Sequence, residues 1–415
     1  MFLVHRVETP QQRLAVQRLR YQIYVEEGED PQHHEADHER RLLIGHDDDA
    51  PGTALFFVGE RDGARVGAAL RCRCWRAGAL PEEIRATYSL DLLPPSEGAA
   101  ICEISSLVVA PEQRGTPAVV TLVGHAFEYA IEHHGASLIF ATCAPGLLRA
   151  YHCLGLYSYG GRPIGTSAGL ILPLVALVDV ESFRASFSPF TEILERLERG
   201  GALPSFDLSP FIRKVRSSGG VVIDNRRITA EVATALDSRR ANRLAEKLGP
   251  RLFERLCERG AVVDAPPGTE VVQRDAIDQD LYLILEGALE VYSNGVLRTT
   301  LGPGETFGEI AFLSPGRRRS ASVRAVVPSR LLVLSKATIE KLEEHSPRDA
   351  LAVYKTLASM LVEWVLAREQ PSADAAHDDD SDGQIARDDP RADAGALLDH
   401  EARARDDRSD LTRTP

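Results

Sequence analysis

Gly302-Pro303-Gly304-Glu305-Thr306-Phe307-Gly308-Glu309-Ile310-Ala311-Phe312, followed shortly by Arg319-Ser320-Ala321-Ser322-Val323, is the most specific stretch of this chain. Gly308 lets the backbone approach a ligand closely. The residues after it can open a short helix whose free N–H groups face an anion. Glu309 is an ionised acceptor suited to a sugar hydroxyl. Arg319 offers a planar fork for two phosphate oxygens, and Ser320 adds a hydroxyl. Around this cradle, residues 261–334 read as short strands separated by Pro267-Gly268, Asn294-Gly295, Pro303-Gly304 and Pro315-Gly316, the pattern of an all-β unit. Two helices follow, a short one over 337–344 and a long one over 348–368. The long one carries a stripe of Leu351, Tyr354, Leu357, Leu361, Trp364 and Val365.

These residues resemble the phosphate-binding cassette of the cyclic-nucleotide-binding domain shared by bacterial catabolite-activator proteins and the regulatory subunits of protein kinase A. Asp280-Leu281-Tyr282-Leu283-Ile284, Gly287 and the long last helix fit the same pattern, and the likeness spans about residues 246–366. It implies that Gly308, Glu309, Ile310, Ala311, Arg319, Ser320 and Ala321 contact cAMP or cGMP, and that Met360, Leu361 or Trp364 caps the base. A roll that kept the fold but lost the ligand would most easily have lost Glu309 or Arg319, and both are here. The chain departs from the family at Asp275, where Gly is usual, so the turn there is expected to differ; binding is not thereby lost, because Asp tolerates left-handed geometry better than most residues. Catabolite activators carry a helix-turn-helix after the long helix. Here that place holds a tail with fourteen acidic residues against six arginines from Glu369 onward, and the whole chain has a net charge of −13. Nucleic-acid binding is therefore excluded. The tail, 370–415, buries too little to offset chain entropy and is expected to be disordered.

Residues 1–200 mix helical and strand patterns. Residues 11–26 place Leu14, Val16, Leu19, Ile23 and Val25 on a rough helical stripe. Strands are expected over 55–58 and 66–70 around Arg61-Asp62-Gly63, and then over 101–109, 138–142 and 170–178. Helices are expected over 118–133 and 147–154, which gives an α/β order. The run Ile101-Cys102-Glu103-Ile104-Ser105-Ser106-Leu107-Val108-Val109-Ala110-Pro111-Glu112-Gln113-Arg114-Gly115, with Phe140-Ala141-Thr142 and Tyr151-His152-Cys153-Leu154-Gly155-Leu156-Tyr157, resembles the GNAT superfamily of N-acetyltransferases. In that fold a loop and helix hold pyrophosphate or pantetheine on backbone N–H groups. Here Thr116 is followed by Pro117, which has no N–H to give, so the grip on a pyrophosphate is weakened.

Arg18-Leu19-Arg20-Tyr21-Gln22-Ile23-Tyr24-Val25-Glu26-Glu27, Val66-Gly67-Ala68-Ala69-Leu70-Arg71 and Glu103 narrow the likeness. Over about residues 5–190 they resemble acyl-homoserine-lactone synthases and N-acyl amino acid synthases. Those enzymes mostly take the acyl group from acyl-carrier protein, a donor without adenosine pyrophosphate, though acyl-CoA stays open. The resemblance places the acyl donor at Leu107, Val108, Val109, Arg114, Gly115 and Thr116. Glu103 is the expected general base, acting directly or through water. Arg20 and Arg71 would bind an amino-acid carboxylate or hold Glu103, and N–H groups near Val108 would stabilise the oxyanion. The plain alternative is a buried Glu103–Arg ion pair that only holds the fold.

His33, His34 and His38 lack ligand partners at a metal spacing and read as a polar loop, so no metal is expected; Cys143 reads as a structural thiol. Six cysteines without a CxxC pair read as reduced thiols. No apolar run is long enough for a membrane span, and the first residues, Met1-Phe2-Leu3-Val4-His5-Arg6, do not read as a signal peptide, so the expected location is cytoplasmic. The expected organisation is an α/β GNAT-like acyltransferase domain (1–200), a linker and lead-in helix (201–245, with a helix over 229–248), a mainly-β cyclic-nucleotide-binding β-roll with flanking helices (246–369), and the tail. The expected function is cyclic-nucleotide-regulated N-acyl transfer to an amine, with a homodimer through 348–368. Two other functions stay open on these residues: a nucleotide-regulated protein-lysine acetyltransferase using acetyl-CoA, and a non-enzymatic nucleotide sensor whose first domain is a scaffold.

Overall fold

Phe56 and Phe57 are adjacent and both buried, as are Ala69 and Leu70. Neighbours on a strand point to opposite faces, so such a sheet needs cover on both sides. The computed structural model, which describes residues 3–28, 30, 33–218, 243–314 and 316–369, provides it. Most of the linker, including the bulk of the helix expected over 229–248, and the whole expected disordered tail lie outside the described residues. The described residues up to Val365 form one compact unit.

The strands β1 (Val4–Arg6), β4 (Thr53–Gly59), β5 (Val66–Arg76), β6 (Ala100–Val109), β7 (Ala136–Cys143), β8 (Ile164–Thr166) and β9 (Gly169–Leu177) make one sheet in the order β1-β4-β5-β6-β7-β9-β8; a small hairpin, β2 (Ala36–Asp37) and β3 (Leu42–Leu43), lies apart from it. All pairs in the large sheet are antiparallel except β6 with β7. One face is covered by α3 (Ala118–His134), α5 (Val180–Ala185) and α6 (Thr191–Arg199), where Phe127 meets the rings of Phe183 and Phe190 at 5.8 and 5.3 Å. The other face carries α1 (Pro10–Tyr21), α2 (Glu82–Thr87) and α7 (Ser209–Ser217). There the core is split in two: Val16 and Leu19 pack with Phe57, Ala69 and Val108, while Ile84, Tyr88 and Phe211 pack with Ile101, Phe140 and Leu177. A short helix, α4 (Leu148–Cys153), follows β7.

The helix expected over 11–26 is α-helical only to Tyr21 and widens into a π-helical turn, Gln22–Glu27. Leu14, expected on its buried stripe, is exposed. The reduced-thiol expectation is also corrected: Cys74 and Cys102 form a disulfide. They sit directly opposite each other on β5 and β6, a juxtaposition that their separation of 28 residues did not announce.

In the second half, α8 (Arg243–Leu248) and α9 (Pro250–Arg259) lead into two four-stranded sheets. One has the order β10 (Ala261–Ala265), β17 (Ser329–Leu334), β12 (Leu281–Glu286), β15 (Thr306–Phe307); the other β11 (Glu270–Val272), β16 (Ser322–Ala325), β13 (Leu289–Ser293), β14 (Val296–Leu301). Alternation on β12 and β17 turns Tyr282, Ile284, Leu331 and Val333 into the roll. Leu281, Leu283, Leu332 and Leu334 turn outward onto α8, α9, α11 (Lys336–His345) and α12 (Pro347–Glu369). The face of α12 that packs is Ala350, Val353 and Leu357. Leu351 and Val365, expected on the same stripe as Leu357, are exposed together with Val362.

Alkylation of the denatured protein without reductant should label four cysteines, and six after reduction. Mass spectrometry reads this directly; six labels under both conditions would remove the Cys74–Cys102 bond.

Candidate functional sites

Between the two apolar clusters under α1 and α2 runs a strip of charge. Pairing on β5 and β6 sets Arg71 opposite Ser105 and Arg73 opposite Glu103, all on one face, with Cys72, Cys74 and Cys102 on the other. Glu103 is buried and accepts from Arg73 Nε at 2.8 Å, Tyr88 Oη at 2.8 Å and Ser105 Oγ at 3.1 Å. Arg71 Nε donates to Ser105 Oγ at 3.3 Å, so a continuous hydrogen-bonded path leads from Arg71 to Glu103. Burial pushes the Tyr88 hydroxyl well above its usual range, and the neighbouring Glu103 charge adds to this. Burial would lower Arg73, but the charge and hydrogen bond of Glu103 raise it; Arg71, without such a direct partner, is lowered by burial and by Arg73.

Arg20 lies at the end of this strip. It is 1% exposed and its Nη1 donates to Asp48 at 2.6 Å. Its Nε and Nη2 have no hydrogen-bond partner among the described residues. Arg71 Nη1 approaches the other Asp48 oxygen at 3.7 Å. Of the two arginines expected to hold Glu103, neither bonds it; Arg73 takes that place, because it is the residue directly across the ladder. Asp48, Arg73, Tyr88 and Ser105 were missed in the sequence. Asp48 sits in the run Asp47-Asp48-Asp49, which looks like solvated surface, and only the buried guanidinium reveals its role.

The β6–β7 ladder stops at Glu103 opposite Phe140, so the two parallel strands separate beyond the carboxylate. Ser106 takes a left-handed φ of 53°, where the β5–β6 register shifts. Leu107, Val108 and Val109 follow along this edge; Leu107 O accepts from Tyr24 Oη at 3.3 Å. Arg114 is tied to Glu27 of the π-helical turn at 2.5 Å and reaches back to Val109 O. Gly115 has φ 73°, Pro117 caps α3, and Thr116 Oγ1 accepts the N–H of Ala118 at 3.3 Å. One of the first N–H groups of α3 is thus already taken, in line with the weakened loop. Burial pushes the Cys143 thiol up to about 12, which keeps it protonated at neutral pH.

In the roll, Gly308 has φ 98° and begins the short helix α10 (Glu309–Leu313), with Ile310 and Ala311 in its first turn. Burial raises the Glu309 carboxyl, opposed by a Thr306 hydrogen bond and by Arg319. Arg319 Nη1 donates to Gly308 O at 3.1 Å, which brings the two halves of the cassette together. Ser320 is exposed and Ala321 lies just before β16. Asp275 itself takes a left-handed φ of 64°, a conformation Gly adopts most easily, so the differing turn expected at this position is not required. Met360 packs partly onto the core beneath α12; nothing is described of the Trp364 side chain.

Residues 15–168 match the family model described as N-acyl amino acid synthase FeeM, and residues 262–346 match that of the cyclic nucleotide-binding domain. The Pycsar effector protein XpPycTIR of Xanthomonas perforans is 32% identical over 112 residues, 27% of this chain and 37% of that protein. BcPycTIR of Burkholderia cepacia is 28% identical over the same shares. The human potassium/sodium hyperpolarization-activated cyclic nucleotide-gated channel 4 is 37% identical over 81 residues, 20% of this chain and 7% of the channel. The chain thus spans little more than a third of the effectors it matches. The crystal structure of Thermus thermophilus catabolite activator protein aligns at 27% identity with a TM-score of 0.27, covering 31% of this chain and 60% of that one. By the two family models alone, residues 15–168 are of the N-acyl amino acid synthase FeeM type and residues 262–346 of the cyclic nucleotide-binding type. Among the described residues no helix is long and apolar enough to cross a membrane.

Asp280, behind the cassette, is buried beside Asp278, and these two causes in that order raise its carboxyl to about 7. The folded state then holds a proton that the unfolded chain, titrating near 3.8, has released. Stability from this group is present below that lower value and is lost as pH rises through about 7. Asp280→Asn keeps an acceptor for the Lys336 N–H. Its urea midpoint should fall less than that of the wild type between pH 5 and 8; equal slopes would contradict the buried proton.

Proposed function

We propose that the chain transfers an acyl group from an acyl thioester to the amine of an amino acid, under the control of a cyclic nucleotide. The observation that carries this reading is Arg20: a buried guanidinium whose Nε and Nη2 have no partner among the described residues leaves two donors that a carboxylate would satisfy. It lies on the same strip as Arg71 and Glu103. The acceptor's carboxylate would bind Arg20 and Arg71, placing its amine toward Glu103. As the neutral amine attacks the thioester carbonyl, one N–H proton leaves to Glu103, directly or through water; the C–N bond forms, the C–S bond breaks, and the departing thiolate takes that proton from Glu103 and leaves as thiol. Opening of β6 from β7 supports a GNAT-like arrangement, with the donor's amide-bearing arm along residues 107–109 and the oxyanion on an N–H near Val108. The occupied start of α3 favours acyl-carrier protein over CoA, because it leaves less for a pyrophosphate to hold.

In the roll, Glu309 would take the ribose hydroxyl and Arg319 the cyclic phosphate of cAMP or cGMP, with Gly308, Ile310, Ala311, Ser320 and Ala321 lining the cradle. Coupling between such sites is typically about 1–3 kcal/mol, or 5- to 150-fold in affinity. We place the two domains at 1–200 and 246–369, joined by a linker. A homodimer would use the exposed Leu351, Val362 and Val365 of α12. A protein using such donors and nucleotides would work in the cytoplasm.

Purified protein given acyl-carrier-protein or CoA thioesters and an amino-acid mixture should yield N-acyl amino acids by mass spectrometry. Acetylated lysines on a protein substrate instead would favour the acetyltransferase function. Glu103→Gln should lower kcat by about 10²–10⁴-fold with the fold intact; an unchanged rate would end its role as base. Calorimetry should detect cAMP or cGMP, and Glu309→Ala should weaken it by about 10- to 100-fold, the weight of a hydrogen bond to a charged group. Equal affinity in that variant would remove Glu309 from the ribose site.

A further inference from the structure

Arg319, the phosphate residue of the cassette, already has an anion. Its Nε donates to Asp278 Oδ1 at 3.2 Å and its Nη2 to Asp278 Oδ2, a fork-to-fork pair with the arginine 3% and the aspartate 8% exposed. Nη2 also donates to Asp280 O at 2.6 Å and Nη1 to Gly308 O at 3.1 Å. The guanidinium lies over the Tyr282 ring, 5.6 Å from its centre. A carboxylate presents two oxygens to a guanidinium in the geometry of two phosphate oxygens. An incoming cyclic phosphate therefore meets an arginine whose flat edge is occupied.

The segment that carries Asp278 is held from both sides. Toward the cassette, Arg319 N–H donates to Ala276 O at 2.9 Å and Asp275 N–H to Arg319 O at 2.9 Å. Toward the first sheet, Ile277 N–H donates to Ser167 O at 2.8 Å and Gln273 Nε2 to Gly165 O at 2.8 Å. Ser167 is in the turn between β8 and β9. At the end of that turn Gly169, with φ 110°, comes so close that a Cβ there would lie 2.6 Å from Asp278 Cβ. From Gly169, β9 runs along β7, the strand that parts from β6 beside Glu103.

We propose that Asp278 is a built-in stand-in for the nucleotide phosphate, and that its displacement from Arg319 is the event the β8–β9 turn senses. This rests on the nucleotide reading above and names how that site is regulated. When a phosphate takes the guanidinium, Asp278 loses its cation while buried beside Asp280. An unpaired buried carboxylate is strongly disfavoured, so the 275–280 segment must shift. It cannot shift without moving the turn bonded to Ile277 and packed under Gly169. Asp278 is in this sense a positioning residue: it lowers nucleotide affinity in the free protein and converts binding into movement at the acyltransferase sheet. A second tie, Arg318 Nη2 to the buried Asp30 at 3.6 Å, joins the cassette to the chain just after the π-helical turn.

Asp278→Asn keeps the shape and removes the charge, and Asp278→Ser serves as a second variant should the first fail to fold. The full chain is titrated calorimetrically with cAMP and with cGMP, and hydrogen exchange is followed over residues 164–177 and 273–282 with and without each nucleotide. The proposal expects the variant to bind at least fivefold more tightly than the wild type. It also expects exchange of the 164–177 peptides to change on binding in the wild type and much less in the variant. A residue that merely held the fold would give weaker binding when altered, so weaker binding overturns the proposal, as does unchanged affinity with an unchanged response of the turn. In either case the nucleotide reading itself stands, because the wild type binds. If the wild type ignores both nucleotides, that reading falls and this one with it.

Discussion

A guanidinium removed from water must find an anion, and the position of that anion then dictates the backbone around it. Among the described residues this requirement is met in both halves of the chain. On the first sheet Arg20 takes Asp48 and Arg73 takes Glu103, and in the roll Arg319 takes Asp278. In each place the ion pair lies beside apolar packing, so a lost partner would leave bare charge rather than a solvated one. The two sites are built alike, although one faces a strip between helices and the other the inside of a β-roll.

The pairs differ in what they leave open. Glu103 has donors on both oxygens, and every nitrogen of Arg73 is engaged, Nε and Nη2 by Glu103 and Nη1 by Asp47. Arg20 keeps two donors unpartnered among the described residues, and under the proposed reading a substrate carboxylate would add there without displacing an anion. Arg319 lies between these cases: its open capacity is small, and a ligand gains the flat edge of the guanidinium only by exchange. A site that adds its ligand binds without moving its neighbours; a site that exchanges one anion for another must move whatever held the first. That distinction fits a substrate site in one half and a sensing site in the other.

How much of this could be read in advance follows the distance between partners along the chain. The cassette was legible because Gly308, Glu309 and Arg319 stand within one short stretch whose spacing has its own chemical logic, whereas the turn at Asp275, expected to differ, is left-handed after all. The α/β order was legible from periodicity, and Glu103 on a central strand from the resemblance to acyl-homoserine-lactone and N-acyl amino acid synthases. What stayed hidden were the counter-ions. Asp48 lies 28 residues from Arg20, Arg73 lies 30 from Glu103, and Asp278 lies 41 from Arg319. Only strand register and loop path bring them together. The split of α12, with Leu357 inside and Leu351 outside, failed for a related reason: an apolar stripe shows that a helix has a sticky side, but not which edge of it the core selects.

The bond between Cys74 and Cys102 gives the central ladder a property that hydrogen bonds alone cannot. Each cysteine is the immediate neighbour of a member of the Arg73–Glu103 pair, and the side chains of the two pairs project from opposite faces of the same two strands. Sliding one strand by a single step would exchange faces along its whole length. With a covalent rivet at the adjacent rung, that misalignment is closed to the folded protein, and the carboxylate keeps its address however much the sheet breathes.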